Sequence, residues 1–232
     1  MAKATTKKSP MAKLRRNLFV ACRQREQNAH NIWLVYSART KREWVLRSDL
    51  QYLHFLDIEF APDVRQFDLA PIPQKTTLLG TTETIEFDAI VEFRDGHTEC
   101  REVSGRNAED ENEDSVRIGR LHAAAETLHA SYVRITAETL EANRQRIQNS
   151  LRMLRFLSAA RCSSLTEARN AVLTCLSTQR YGLALHELSA RISEVPEALV
   201  CAAAFQLLQH GRVAMDVNES PLTGMTSVSR VS

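Results

Sequence analysis

Ile85-Glu86-Phe87-Asp88-Ala89-Ile90-Val91-Glu92-Phe93-Arg94-Asp95-Gly96-His97-Thr98-Glu99-Cys100-Arg101-Glu102-Val103-Ser104 carries the clearest β signal in the chain. Alternation sets Ile85, Phe87, Ala89, Val91 and Phe93 on one face of a strand, with Glu86, Asp88, Ile90 and Glu92 on the other. Arg94 to His97 reads as a hairpin turn, because Gly96 supplies the positive φ that tight turns demand. Residues 98–104 then return as the partner strand. This spacing predicts that Asp88 and Glu102 project from one sheet edge. Two carboxylates so placed can share Mg²⁺, a hard cation that prefers oxygen ligands. Such an ion would polarise a scissile phosphate and lower the pKa of an attacking water. The bland alternative is a pair of solvated strand acids.

The surrounding chain alternates β and α signals. Ile32–Tyr36 and Trp44–Leu46 read as strands, and Ser48 as the N-cap of a helix whose Leu50, Leu53 and Leu56 share a face. Residues 64–69 form a further strand, ended by Pro71 and Pro73. After the hairpin, the acidic run 109–114 leads into a helix over 114–128, then a strand at 132–135. Thr136 caps a long helix predicted to run to about Ala160. A junction at 162–165 marks the domain boundary; three short helices follow it, near 165–177, 183–192 and 197–209, and then two strands at 212–217 and 226–231. Pro196 suits a first helical turn and Gly211 a left-handed C-cap. Three helices followed by a hairpin is the order of a winged helix. The predicted fold is therefore α/β: a mixed sheet flanked by helices over 29–161, and a small winged-helix-type domain over 162–232.

A chain of 232 residues with 44% hydrophobic and 25% charged residues can bury one large core or two modest ones. The net charge of +2 excludes little, but its distribution is uneven. Residues 1–25 hold Lys3, Lys7, Lys8, Lys13, Arg15, Arg16, Arg23 and Arg25 and no acid, within an arm read over 1–28. Such an arm either neutralises phosphates or is a solvated leader. The five cysteines show neither CxxC pairs nor zinc-finger spacing, and read as small hydrophobes of a reducing compartment. No apolar leader or bilayer-length apolar run occurs, so the expectation is a cytoplasmic protein with no membrane partner.

Other residues carry paired readings. His54 and His122 are either ligands or satisfied helix histidines. Arg144, Arg146, Arg152 and Arg155 either line a DNA path or form a solvated helix face with Glu138 and Glu141. The helix at 197–209 is apolar nearly all round, which marks it as buried or docked on protein rather than as a reader of bases.

The ordered motifs resemble the TnsA family, the nuclease subunit of heteromeric transposases. The resemblance is carried by Leu46–Gln51 continuing through Phe55–Phe60 and Asp63-Val64, by Phe87–Val91 with Asp95-Gly96, by Glu102-Val103-Ser104, and by Leu207–Val213 with Asp216, Pro221-Leu222 and Thr226. It covers roughly residues 32–232. It implies a restriction-endonuclease-like fold of the PD-(D/E)xK pattern with a C-terminal winged-helix domain. The implied task is Mg²⁺-dependent cleavage of 5′ strands at transposon ends, alongside a DDE-type transposase and an AAA+ regulator. Asp88 and Glu102 occupy the family's metal-facing strand positions.

The family's helix glutamate falls on Gln51 and its lysine on Ser104, so the catalytic set is incomplete. Arg106 is the candidate to replace the missing cation, since alternation turns Arg101 away from Glu102. Glu43 or Asp49 are candidates for the missing acid, although Asp49 sits about 200° around the helix from Gln51. Lys13, Arg15, Arg16, Arg106 and Arg144 are the candidate DNA contacts. Two further readings stand beside cleavage: a non-catalytic architectural subunit that binds end DNA and recruits its partners, and a stand-alone restriction or repair nuclease.

Overall fold

The computed structural model describes residues 31–78, 80–105 and 115–231. The basic arm with Lys13, Arg15 and Arg16, the acidic run 109–114, and Arg106 lie outside the described residues. The chain divides into two compact units. Of the described residues, one unit comprises those within 31–35, 42–54 and 66–139; the other comprises those within 36–41, 55–65 and 140–231. This partition interleaves segments that are distant in sequence, in contrast to the linear boundary anticipated near residue 162.

In the first unit, β1 (Trp33–Ser37) pairs with β2 (Arg42–Leu46), and α1 (Asp49–Glu59) contributes its first half. β3 (Val64–Asp68), β6 (Ala89–Phe93), β7 (Thr98–Val103) and β8 (Ser131–Ile135) form a four-stranded sheet in the order β3-β6-β7-β8. β6 and β7 are antiparallel, whereas β7 and β8 are parallel and joined through α2 (Ser115–Glu126), so the sheet is mixed. Phe87, Cys100, Leu121, Ala124 and Ala125 form the core on the α2 face, with Ile85, Ile90 and Tyr132 packed against it. Burial pushes the Cys100 thiol up to about 11, which keeps it a protonated apolar filler.

The single strand anticipated through Ile85 to Phe93 is divided between two strands. β5 (Thr81–Ile85) turns away to pair with β4 (Gln74–Leu78), and the sheet strand restarts at Ala89. The Asp88 N–H donates to the Arg101 carbonyl at 2.8 Å, yet Arg101 stands opposite Ala89. Two consecutive residues therefore face one, the arrangement of a β-bulge. The extra residue shifts parity, so Phe87 packs with Cys100 and Ile90 instead of sharing a face with Ala89 and Val91. β4 was not anticipated, because Gln74-Lys75-Thr76-Thr77-Leu78 lacks apolar alternation and follows two prolines; its ladder to β5 creates it.

In the second unit, the long helix anticipated from 136 to 160 breaks at Asn143 (φ −99°, ψ 15°) into α3 (Ala137–Ala142) and α4 (Arg144–Ala159). Thr136 does cap its start, its Oγ1 accepting the Thr139 N–H at 3.3 Å. α5 (Thr166–Ser177), β9 (Leu183–Ala184), α6 (Leu185–Arg191), α7 (Glu197–Gln209), β10 (Val213–Met215) and β11 (Ser227–Arg230) follow. The helix anticipated from 183 starts at Leu185, since Leu183 and Ala184 pair with Val228 and Ser227 in a sheet ordered β10-β11-β9. Every residue of α7 from Val200 to Gln209 is buried, so this helix is the unit's core.

A polar knot supports α7. The Arg39 guanidinium donates to the carbonyls of Glu59 (2.8 Å), Ala61 (2.8 Å), Gln209 (3.0 Å) and Val64. Glu59 and Gln209 end α1 and α7, where unpaired carbonyls and the helix dipole favour a cation. The Glu59 carboxylate accepts from Ser37 Oγ (2.8 Å), the Ala38 N–H (2.9 Å) and Gln209 Nε2 (2.8 Å). Burial nonetheless holds its pKa above the ordinary value, outweighing these bonds and the Arg39 charge.

Candidate functional site

The site on the first unit begins at the N-terminus of α1. Ser48 Oγ accepts the Gln51 N–H at 3.1 Å, the N-cap bond of the Ser-x-x-Gln signature. Gln51 then folds back, its Oε1 accepting the Arg47 N–H at 2.9 Å. This leaves its Nε2 pointing outward, and it donates to Asp88 Oδ1 at 3.0 Å. The other Asp88 oxygen accepts the Val103 N–H at 2.8 Å. One turn further along α1, the buried His54 places Nε2 3.2 Å from Arg101 Nη1. A guanidinium only donates, so His54 Nε2 is the acceptor there. Arg101 also pairs with Glu99 at 2.7 Å and lies 5.6 Å from the centre of the Phe93 ring.

Adjacent strand residues project to opposite faces, and Glu102 follows Arg101. Its carboxylate accepts from Tyr132 Oη at 2.6 Å, pairs with Arg117 of α2, and lies 3.5 Å from Arg134 Nε. Burial raises the Glu102 pKa, but the bonds from Arg117 and Tyr132, with the charges of Arg117 and Arg134, together hold it below the ordinary carboxylate value. The reciprocal effect appears at Tyr132, whose phenol is pushed up to about 12 by burial and by the bond to Glu102.

Asp88 therefore turns with Arg101 toward α1, while Glu102 turns toward α2 and β8. The bulge is the cause: without it, position 88 would stand opposite position 102 on a common face. Gln51 and Asp88 are brought together, and Glu102 is not brought to them. Ser104 continues the parallel ladder, its N–H donating to the Ile135 carbonyl at 2.9 Å, and brings no cation. Trp33 Nε1 (2.9 Å) and Asn31 Nδ2 (3.1 Å) hold the Asp49 carboxylate. Glu43 is exposed on β2.

In this arrangement Gln51, Asp88 and Glu102 do not converge on one cation. Asp88 Oδ1 faces an amide N–H, a group that cannot ligate, and the Glu102 charge is already neutralised by two guanidinium groups. Among the described residues, no group of three or more His, Cys, Asp or Glu side chains gathers to hold a metal ion. The chain matches no protein-family model and no curated protein.

The second unit shows how its arginines are used. Arg144 pairs with Glu141 at 2.9 Å on an exposed face, Arg146 with Asp57, and Arg152 donates to the Leu222 carbonyl at 2.9 Å. Arg146 and Arg152 are thus engaged within the fold, whereas Arg144 stays exposed. Arg152 and Arg155 both line a groove of about 400 Å³ with Phe156, Phe205, Leu185 and Leu222. Among the described residues, no helix is long and apolar enough to cross a membrane.

Sequence reasoning missed the Val103 N–H, the Arg117–Tyr132–Arg134 surround of Glu102, and the His54–Arg101 pair. The Ser48-x-x-Gln51 signature was a legible signal that Gln51 folds toward the helix start. Nothing in sequence announced the bulge.

Proposed function

We propose that this chain is a TnsA-like subunit of a heteromeric transposase that acts architecturally at transposon ends. In this reading the first unit is a restriction-endonuclease-like fold and the second a winged-helix-type domain. The α5-β9-α6-α7-β10-β11 order and the three-stranded β10-β11-β9 sheet support the latter. The protein holds end DNA and positions the DDE-type transposase and the AAA+ regulator. The 400 Å³ groove, lined by Phe156, Phe205, Leu185 and Leu222 together with Arg152, Arg155 and Glu197, supports partner docking by the second unit.

The observation that carries the architectural reading is the 3.0 Å bond from the Gln51 amide to Asp88. A hydrogen-bond donor stands where a cleaving subunit requires a shared cation, and no charged residue stands at Ser104. Reconstituted transposition tests it. With its DDE-type and AAA+ partners, Asp88→Ala combined with Glu102→Ala is expected to leave the transposition yield unchanged. A yield that collapses in a variant that is still folded would count against the proposal.

Cleavage is the second reading, favoured by the bulge at Asp88, since bulges recur beside active sites, where they re-aim a side chain. Its mark is 5′ nicking of end DNA with Mg²⁺ that Asp88→Ala abolishes. A stand-alone nuclease would cut without any transposase present.

A further inference from the structure

We propose that the turn at residues 179–182 and the adjoining end of β11 form a stacking site for single-stranded nucleic acid. Tyr181 is 78% exposed, the largest exposure among the large hydrophobic side chains of the described residues. The Arg180 guanidinium lies 5.8 Å from its ring centre. A groove of about 380 Å³ is lined by this turn together with Ser229 and Arg230, and its lining contains no carboxylate. Among the described residues, neither Arg180 nor Arg230 forms a salt bridge with an acid.

The placement is built into the fold. β9 pairs only with Ser227 and Val228, so the end of β11 lies beyond that ladder and borders the turn. Gly182 permits the approach: a Cβ there would meet Ser227 Oγ at 2.5 Å and the Val228 carbonyl at 3.0 Å. The turn thus brings an aromatic face and two cations to one open edge.

The chemistry selects the occupant. An isolated exposed aromatic needs no explanation, but one flanked by unneutralised cations offers both a stacking platform and phosphate contacts. A duplex hides its base faces, leaving the ring nothing to stack on. An acidic peptide would use the arginines and not the ring. Unstacked bases on a phosphate backbone use both. The site goes beyond the transposase assignment and does not depend on it.

Fluorescence anisotropy with the full chain tests this, using a labelled oligothymidylate and a duplex of equal length. Tyr181→Ala is expected to weaken single-strand binding about tenfold, within the range for loss of one stacked base, while Tyr181→Phe keeps wild-type affinity. Replacing Arg180 and Arg230 together by Ala should flatten the dependence of log affinity on log salt by about 1.4, at about 0.7 per phosphate contact. Unchanged single-strand affinity in Tyr181→Ala, or an equal loss for the duplex, would overturn the proposal. Displacement of the strand by polyglutamate with no Tyr181 dependence would overturn it in favour of an acidic protein partner.

Discussion

Gln51→Glu is the most direct perturbation of the candidate site. The substitution is nearly isosteric, and one carboxylate oxygen can still accept the Arg47 N–H. The other oxygen replaces the Nε2 donor and stands about 3 Å from Asp88 Oδ1. Two unit charges at that separation repel by about 5 kcal/mol at an effective dielectric of about 20. A charge-assisted hydrogen bond of about 1.5–3 kcal/mol is lost as well. Gln51 and Asp88 are only half-buried, so solvent and side-chain rotation relieve part of this. A net loss of about 2–4 kcal/mol at neutral pH in EDTA is expected, by discounting those two figures.

Thermal unfolding should show a fall of about 2–4 °C per kcal/mol for a chain of this size. The paired carboxyls of the variant would have folded-state pKa values raised above their unfolded values. Relative stability is then retained below the ordinary carboxylate range and lost as pH rises through the raised values. Millimolar Mg²⁺ or Ca²⁺ should restore the melting temperature of the variant, because a cation can now bridge two acids, and leave the wild type unmoved. A Gln51→Glu protein as stable as wild type in EDTA at neutral pH would refute the reasoning, as would a wild type that gains as much from Mg²⁺.

Three further outcomes follow from the same geometry. Glu102→Gln should cost about 1–3 kcal/mol at neutral pH by weakening the bonds from Arg117 and Tyr132; because the Glu102 pKa is depressed in the fold, the difference should vanish as pH falls below the ordinary carboxylate range, which urea titrations across pH would show. Arg39→Ala should cost about 3–5 kcal/mol, the penalty for removing one partner of a buried charged network, read as a lower urea midpoint. Gly182→Ala should destabilise the β9–β11 edge by about 1–3 kcal/mol, because the added Cβ meets backbone as well as side chain; amide exchange at Ser227 and Val228 would report it.

Much of the architecture was legible along the chain. The 94–97 turn, the capping roles of Ser48 and Thr136, the left-handed Gly211 (φ 65°) and the buried α7 were each announced locally. These features depend on dihedral preference, hydrogen bonding within a few residues, or hydrophobicity summed over one element, and all three are properties of a short window. The break at Asn143 and the β4–β5 ribbon were not legible, because helical spacing continues across 143 and β4 has no apolar alternation of its own.

The candidate site divides along the same line. Sequence alone determined that position 51 is a neutral amide, that position 88 is a carboxylate, and that position 104 brings no charge. Only tertiary structure decided where the acids point. A single bulged residue, defined by which carbonyl of β7 receives the Asp88 N–H, reverses the alternation that the 85–93 pattern implies. Strand parity is a pairing property between two segments, so it cannot be read from either segment by itself. That pairing turns Asp88 toward the Gln51 amide and leaves Glu102 to the arginines on the other face.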